Sequence, residues 1–232
     1  MKILVTGSRG FIGEKLFLAL FNEGYNVVGI DVREGMNLLT CELPPDIDIV
    51  YHLAAQSSVE SSWKDPVHDM DNLRMTARLV KEYPNSRIIY ANSCASMDRS
   101  SPYGFSKWAA GEYIKQFQGD YVNCVFPNIY GPGSRSVVDI FKKLDEVTIF
   151  GDGEQTRDYV HVDDIVKGLV NAKDWFSGTY HMGSGKSLSV LDLAEGKYVV
   201  FAPARKEARE VVVPNDTPDW IPKTDVFKYM AE

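Results

Sequence analysis

The fold of this chain is decided near its start by Ile3-Leu4-Val5-Thr6-Gly7-Ser8-Arg9-Gly10-Phe11-Ile12-Gly13. The short apolar run predicts a buried strand, and the glycines at 7, 10 and 13 predict a turn that leads directly into a helix. In such a unit the first glycine allows the tight turn, the second lets the backbone approach a pyrophosphate, and the third permits close helix–strand packing. The N–H groups at the start of the helix can then bind phosphate. The stretch therefore predicts a loop that binds the phosphates of a dinucleotide.

An acidic residue follows at the end of the next predicted strand. Apolar residues at helical spacing over 13–22, then an apolar run over 25–30, place Asp31 at that strand end. Its carboxylate can accept hydrogen bonds from both hydroxyls of an adenosine ribose and would repel a 2′-phosphate. This pattern favours NAD over NADP, although the nearby Arg33 leaves NADP open.

Strands and helices alternate through the first part of the chain. Further strands are predicted over 48–53, 87–91 and 121–126, with helices over 70–82 and 102–117. Parallel neighbours in a sheet need crossover connections, and helices between strands supply them. The pattern predicts an α/β protein with a Rossmann-type, doubly wound parallel sheet.

The sequence changes character after about residue 130. Gly-Pro-Gly at 131–133 and Gly-Asp-Gly at 151–153 indicate turns, and short helical patterns cover 163–173 and 190–195. We expect a Rossmann domain over residues 1–133 and a small, loop-rich substrate-binding region over 134–232. That region should pack over the carboxyl ends of the strands, where ligands of open α/β sheets bind.

Composition excludes several classes of function. There are 25 Lys and Arg against 32 Asp and Glu, giving a net charge of −7, which argues against general binding to nucleic acid or to anionic membranes. No apolar run is long enough for a membrane span, and we expect no signal peptide because Met1-Lys2 leads directly into the first predicted strand. Cys41, Cys94 and Cys124 lack metal-ligand spacing, so we expect no metal site and a reducing, cytoplasmic location.

A tyrosine and a lysine lie four residues apart in Tyr103-Gly104-Phe105-Ser106-Lys107. On the predicted helix they share one face. A nearby ammonium, together with a positively charged nicotinamide, should lower the pKa of the Tyr103 phenol. Tyr103 could then take a proton from a sugar hydroxyl while hydride leaves the same carbon, with Ser93 hydrogen-bonding that oxygen.

Together these segments resemble the extended short-chain dehydrogenase/reductase family, in its nucleotide-sugar epimerase/dehydratase branch. The matching segments extend almost from end to end, although the chain is a compact version. Besides the glycine loop and the Tyr103/Lys107 pair, they are His52-Leu53-Ala54-Ala55, Asn72, Pro127-Asn128-Ile129-Tyr130-Gly131-Pro132-Gly133, the run from Phe150 to Asp164, and His181-Met182-Gly183-Ser184-Gly185.

The resemblance implies a role for each matching residue. Ser93, Tyr103 and Lys107 match the catalytic triad, and Lys107 also holds the nicotinamide ribose. The cofactor-binding positions are Gly7, Gly10, Phe11, Ile12, Gly13, Asp31, Leu53, Ala54, Ala55, Asn72, Tyr103 and Lys107. The substrate-binding positions are Ser93, Asn128, Arg157 and Arg205. Of these, Asn128 and Arg157 match positions that contact the diphosphate. Arg205 resembles a second arginine on the phosphate side, and a solvated surface position is the open alternative for it. A homodimer formed through the helices near 72–82 and 103–117 is also implied.

Three further side chains are interpreted as structural. His52 and His161 are expected in hydrogen-bonded strand or loop settings rather than in catalysis. Cys94, directly after Ser93, is expected to be a small packing residue.

The branch contains several reactions, and the residues after Ser93 discriminate among them. Its 4,6-dehydratases carry an Asp-Glu pair there and its decarboxylases a glutamate, whereas this chain has Cys94-Ala95, which cannot act as acid or base at neutral pH. We therefore expect an NAD-dependent UDP-hexose 4-epimerase working through a transient 4-keto sugar. A reductase or dehydrogenase of a keto-sugar nucleotide or of another small hydroxy substrate remains open, as does a non-catalytic NAD-binding protein.

The chain departs from the family pattern in two places. Only 16 residues separate Asp31 from the strand at Asp48, so a helix and a strand of the larger relatives look trimmed. The C-terminal part also lacks long segments that close over the sugar nucleotide in those relatives.

Overall fold

The computed structural model describes residues 1–205 and 209–232. Its strands are β1 (Lys2–Thr6), β2 (Asn26–Ile30), β3 (Ile49–His52), β4 (Arg87–Ser93), β5 (Tyr121–Phe126), β6 (Asn128–Tyr130), β7 (Glu146–Phe150), β8 (Thr156–Arg157), β9 (Tyr159–His161), β10 (Gly178–His181), β11 (Leu188–Ser189) and β12 (Tyr198–Ala202). Its helices are α1 (Phe11–Asn22), α2 (Val59–Lys64), α3 (Pro66–Glu82), α4 (Ala95–Asp98), α5 (Pro102–Phe117), α6 (Val137–Lys143), α7 (Val162–Ala172), α8 (Val190–Leu193) and α9 (Val226–Ala231).

A six-stranded parallel sheet forms the centre of the molecule, in the order β10-β5-β4-β3-β1-β2. The first strand lies inside this sheet, and Ile3, Leu4 and Val5 are fully buried. Such a continuous apolar run is typical of a parallel strand that is covered on both faces. The predicted α/β class and the Rossmann-type sheet are confirmed.

Helices cover both faces of the sheet, as a doubly wound fold requires. One core cluster joins α1 and α7 to one face through residues such as Leu16 and Ile165. A second cluster joins α3 and α5 to the other face through residues such as Leu79 and Ile114. The carboxyl ends of the central strands therefore remain uncovered by these four helices and can hold a ligand.

The region after residue 133 is more regular than expected and does not form a separate layer. Its strand β10 is the edge strand of the main sheet, and α7 packs against α1. The pairs β6–β9, β7–β12 and β8–β11 form small two-stranded sheets. The sequence pattern did not reveal these strands, because they are too short to show periodicity. The functional division at residue 133 stays a prediction.

Buried carboxylates anchor this second region. Asp139 accepts from the Gly131 backbone N–H at 2.9 Å and from the Tyr229 hydroxyl at 2.6 Å. Asp164 accepts from the backbone N–H groups of Lys223 and Thr224 at 3.0 and 2.8 Å. The carboxylates thus fix the glycine turn after β6 and the C-terminal segment over the sheet.

The connection between β2 and β3 is short, as the small number of residues between Asp31 and Asp48 predicted. It contains a 3-10 turn, Val32–Glu34, and otherwise follows an irregular path to β3. The guanidinium of Arg78 on α3 donates to the carbonyls of Leu38 and Cys41 and holds this path against the helix. Within the described residues, no helix has the length and apolarity that a membrane span needs.

Candidate active site

A cleft of about 1290 Å³ lies over the carboxyl ends of the central strands. Its lining residues come from parts of the chain that are far apart in sequence. Of the predicted site residues, it is lined by Gly7, Gly10, Phe11, Ile12, Gly13, Asp31, Leu53, Ala54, Ala55, Ser93, Tyr103, Lys107, Asn128 and Arg157.

The glycine turn between β1 and α1 forms one end of the cleft. Gly7 has a φ of +71°, a conformation that L side chains rarely adopt, and its N–H donates to the Ile30 carbonyl at 2.8 Å. A Cβ at Gly13 would lie 2.0 Å from the Gly7 carbonyl oxygen. The turn is therefore packed so closely on the helix that only glycine fits at position 13, as the sequence predicted.

Asp31 lies at the end of β2 beside this turn and is buried. Its carboxylate accepts from the backbone N–H groups of Arg9 and Arg33, each at 2.8 Å. The Arg33 guanidinium donates to the Arg9 carbonyl, and the Arg9 side chain pairs with Glu34. The carboxylate is thus fixed at the cleft wall, and two arginines lie close to it.

A hydrogen-bonded chain behind the cleft connects its wall to the sheet. The Thr6 hydroxyl accepts from the Ala54 backbone N–H at 3.2 Å and is 2.9 Å from Nδ1 of His52. Nε2 of His52 is 3.0 Å from the Thr76 hydroxyl. Burial lowers the pKa of the His52 imidazole to about 3. His52 is therefore a neutral structural residue, as predicted.

Asn72 does not line the cleft, in contrast to its predicted role in cofactor binding. It is buried on α3, where its side chain accepts from the Gln56 N–H at 2.8 Å and donates to the Gln56 carbonyl at 3.2 Å. It also donates to the Ser106 hydroxyl at 3.0 Å. These bonds hold the loop after β3 against α5, so Asn72 shapes the cleft wall from behind.

Ser93, Tyr103 and Lys107 all line the cleft. Ser93 ends β4, and the Ser101 side chain caps α5 by accepting from the Gly104 N–H at 3.0 Å. A Cβ at Gly104 would lie 2.2 Å from the Ala95 carbonyl oxygen, so the two segments approach as closely as glycine allows. This approach brings the Tyr103 hydroxyl into hydrogen-bonding contact with Ser93.

Burial controls the electrostatics of the pair on α5. It raises the pKa of Tyr103 to about 12, and the hydrogen bond with Ser93 opposes this shift. Burial lowers the pKa of Lys107 to about 7, although its ammonium donates to the Ala91 carbonyl at 2.6 Å. The expected lowering of the Tyr103 pKa is therefore not found in the protein chain by itself, because desolvation raises the pKa by more than the hydrogen bond with Ser93 lowers it.

Two other residues have the structural settings that we expected. Burial raises the pKa of the Cys94 thiol to about 11, which keeps it protonated and unreactive at neutral pH. His161 caps α7 by accepting from the Asp163 N–H at 3.3 Å. Its ring packs edge-on against Tyr130, with centroids 5.2 Å apart.

The substrate-side residues are only partly brought together. Asn128, which begins β6, and Arg157 at the end of β8 both line the cleft. Arg205 does not line it. Its guanidinium lies over the Phe150 ring, 3.5 Å from the centroid, and 4.0 Å from a carboxylate oxygen of Glu60. The predicted role of Arg205 at the phosphates is thus not supported by its position, since tertiary contacts hold it outside.

Several lining residues escaped the sequence analysis. They are Arg9, Met36, Asn37, Leu38, Leu39, Gln56, Asp98 and Arg135. Met36 to Leu39 belong to the irregular connection after β2, for which no periodicity exists. Gln56 could have been found, because it directly follows Leu53-Ala54-Ala55 and continues the same cleft wall.

Comparison with known proteins is consistent with this geometry. Residues 3–181 match the model of the NAD dependent epimerase/dehydratase family. A putative UDP-glucose 4-epimerase of Methanocaldococcus jannaschii is 29% identical, and the alignment covers 82% of this chain and 79% of the relative.

Solved structures of similar proteins cover the whole chain. The UDP-glucose 4-epimerase of Thermotoga maritima, determined with UDP-glucose, superposes with a TM-score of 0.87 at 26% identity, covering 99% of this chain and 96% of that one. A UDP-glucuronic acid 4-epimerase variant from Bacillus cereus, in complex with NAD and UDP-4-deoxy-4-fluoro-glucuronic acid, has a TM-score of 0.86 at 25% identity. That alignment covers 100% of this chain and 99% of the other.

Proposed function

Because the chain belongs to the NAD dependent epimerase/dehydratase family, we propose that it is an NAD-dependent nucleotide-sugar epimerase and, more specifically, a UDP-hexose 4-epimerase. One observation carries the proposal. Ser93, Tyr103 and Lys107 line the same cleft as the glycine turn and Asp31, so a candidate acid–base set shares a cleft with a candidate dinucleotide-binding turn.

The residues of the cleft fit NAD. The turn at Gly7 to Gly13 presents the start of α1, whose first N–H groups have no partner within the helix and can bind a pyrophosphate. Asp31 supplies a fixed carboxylate for the two adenosine ribose hydroxyls. When bound there, NAD supplies a reversible hydride acceptor.

The chain's own residues handle the proton. We propose that Tyr103 accepts the proton of the sugar 4-hydroxyl and returns it after the keto sugar has turned over. Ser93, in contact with the Tyr103 hydroxyl, hydrogen-bonds the same sugar oxygen. Lys107 lies one helical turn from Tyr103, where a positive charge favours the phenolate and can hold the nicotinamide ribose.

The substrate would enter from the side of Asn128 and Arg157. A guanidinium can donate two parallel hydrogen bonds to a phosphate oxygen pair, which suits Arg157 to the diphosphate. Asn128 begins β6, and its backbone N–H donates at 3.0 Å to the carbonyl of Asp158, the residue after Arg157. Both side chains line the same space as Ser93, so a diphosphate held there leaves its sugar within reach of the catalytic set.

The residues after Ser93 disfavour dehydration and decarboxylation. Cys94 has a pKa raised to about 11 and Ala95 has no functional group, so neither moves a proton at neutral pH. A reductase acting on a keto sugar or on another small hydroxy substrate uses the same Ser93, Tyr103 and Lys107. A purely NAD-binding protein would not need all three, which argues against that alternative.

The deciding experiment incubates the purified protein with UDP-galactose and follows formation of UDP-glucose. Epimerisation is expected without net consumption of NAD or NADH. If NAD is bound but no UDP-glucose appears, the 4-epimerase proposal is wrong. Steady oxidation of NADH by a keto substrate would instead identify a reductase.

We also propose a homodimer formed through α3 and α5. Phe117 at the end of α5 is 61% exposed, and its ring contacts Tyr113 at a centroid distance of 4.6 Å. Phe105, near the start of the same helix, is 47% exposed. A second copy of the chain would cover these rings. Sedimentation should show a dimer that Phe117→Glu converts to a monomer; a monomeric wild type would refute it.

A reducing cytoplasm is the location that we propose. Cys41, Cys94 and Cys124 are all free thiols. Free thiols persist most readily where glutathione and thioredoxin keep cysteine reduced. Fractionation of the native cells is the direct test.

A further inference from the structure

Lys107 occupies an unusual place for a charged side chain. It is 2% exposed, and desolvation lowers its pKa to about 7. Within the described residues no carboxylate pairs with it, and its ammonium donates to one neutral acceptor, the Ala91 carbonyl, at 2.6 Å. One neutral hydrogen bond is weak compensation for burying an ammonium.

An aromatic ring lies directly against this ammonium. Nζ of Lys107 is 4.2 Å from the centroid of the Tyr90 ring, well within the range of a cation–π interaction. Tyr90 is on β4 and is 1% exposed, so the interaction takes place away from water. Such interactions are strongest when the cation is desolvated.

The Tyr90 ring itself is firmly held. It packs against the His52 ring with centroids 5.4 Å apart, and His52 is fixed by Thr6 and Thr76. The Tyr90 hydroxyl is buried and has no hydrogen-bond partner among the residues that the structure describes. The contact between Tyr90 and Lys107 is therefore made by the face of the ring and not by the hydroxyl group.

We propose that Tyr90 is a positioning residue, whose aromatic face keeps the Lys107 ammonium charged and fixes it at the floor of the cleft. This inference rests on the proposed function, in which a protonated Lys107 supports Tyr103 and holds the cofactor ribose. Among the described residues, the titratable side chains that interact with Lys107 are Tyr90 from β4 and His52 from β3, and Tyr103 lies one turn away on the same helix. His52 is neutral above its pKa of about 3 and gives no negative charge.

The sign of the effect follows from the interaction. A ring that attracts the ammonium raises the Lys107 pKa, so removing the ring lowers it further. A desolvated cation–π interaction is strong enough to move a pKa by about one unit or more. Without the ring, Lys107 should lose its proton at a pH lower by that amount, and the enzyme should lose activity there.

The test compares Tyr90→Leu, which removes the π face, with Tyr90→Phe, which keeps it. For each holoenzyme we would measure the pH profile of UDP-galactose epimerisation and, separately, the rate at which bound NAD is lost as a function of pH. We expect the alkaline limb of both profiles to move down by about one pH unit in Tyr90→Leu. Tyr90→Phe keeps the ring and should show the same two profiles as the wild type. Should Tyr90→Leu fold poorly, Tyr90→Met fills the space better and also lacks the ring.

The outcomes are distinguishable. If Tyr90→Leu or Tyr90→Met folds and both limbs stay in place, or if Tyr90→Phe shifts them as much as Leu does, the inference is wrong. The rate of NAD loss requires no sugar substrate. It therefore tests Tyr90 even when UDP-galactose is not converted, and failure of the proposed function would appear separately in the wild type.

Discussion

The buried His52 should make the folded protein lose stability as the pH falls. Its imidazole has a pKa of about 3 in the folded chain, against an ordinary value of 6.5 in the unfolded chain. Because the folded pKa is depressed, the unfolded state takes up a proton that the folded state refuses. The stability is therefore complete above pH 6.5 and is lost progressively as the pH falls towards 3.

The size of the effect follows from the two pKa values. Between pH 8 and pH 5 the unfolded imidazole becomes protonated while the folded one stays neutral, and this difference amounts to about 2 kcal/mol of unfolding free energy. In urea, such a loss lowers the unfolding midpoint by about 1 M. Carboxylates elsewhere titrate over the same range, so the wild type alone does not isolate His52.

A matched variant isolates the histidine. His52→Asn removes the titratable group and keeps a polar side chain beside Thr6 and Thr76. Urea unfolding of both proteins at pH 8 and pH 5, at the same saturating NAD concentration, gives the two losses of stability. We expect the wild type to lose about 2 kcal/mol more than the variant. His161→Asn should also lose less unfolding free energy than the wild type between pH 8 and pH 5, because burial lowers the His161 pKa as well.

Equal losses in wild type and His52→Asn would refute the reasoning. That result would mean that the folded chain accepts a proton on His52 as easily as the unfolded chain does. The Thr6–His52–Thr76 chain of hydrogen bonds would then have to open at mildly acidic pH.

Three predictions concern the cleft. Tyr103→Phe should reduce epimerisation by about 10²–10⁴-fold, the usual contribution of a general acid–base group, while the NAD content of the purified protein stays unchanged; retained activity would remove Tyr103 from the mechanism. Gly13→Ala places a Cβ 2.0 Å from the Gly7 carbonyl oxygen and should abolish NAD retention, which absorbance measures. The control Gly119→Ala has open space around its Cβ and should retain NAD. Asp31→Ser removes the ribose carboxylate, so competitive titration should show weaker NAD binding and a smaller preference over NADP; an unchanged preference would contradict its role.

Local pattern was sufficient for the first half of the fold. The Ile3–Val5 run, the glycine spacing and the strands alternating with helices predicted the parallel sheet, because these signals arise within a few residues of each other. The start of α5 at Pro102 agrees with the prediction. The helix predicted over 70–82 begins earlier, at Pro66, although a capping Asp65 precedes that proline just as Ser101 precedes Pro102. The position of β10 at the edge of the main sheet was not predicted, because its partner strand β5 lies more than fifty residues earlier in the chain.

The catalytic set shows the same division. The sequence alone paired Tyr103 with Lys107, because four residues on a helix fix a common face. It also identified the glycine turn, whose close packing is a property of the backbone. It did not determine that Asn72 would bond Gln56 and Ser106 rather than line the cleft, nor that Arg205 would stack on Phe150. Those outcomes depend on which elements pack together.

What only the tertiary structure decided is the electrostatic state of the site. The sequence pairs an ammonium with a phenol, and on that basis the Tyr103 pKa should fall. Folding buries both groups, raises the Tyr103 pKa to about 12 and lowers that of Lys107 to about 7, because desolvation disfavours each charged form. It also places the Tyr90 ring against the Lys107 ammonium. The sequence determines which side chains can carry a charge. The free energy of ionising each of them depends on the surroundings that distant parts of the chain supply.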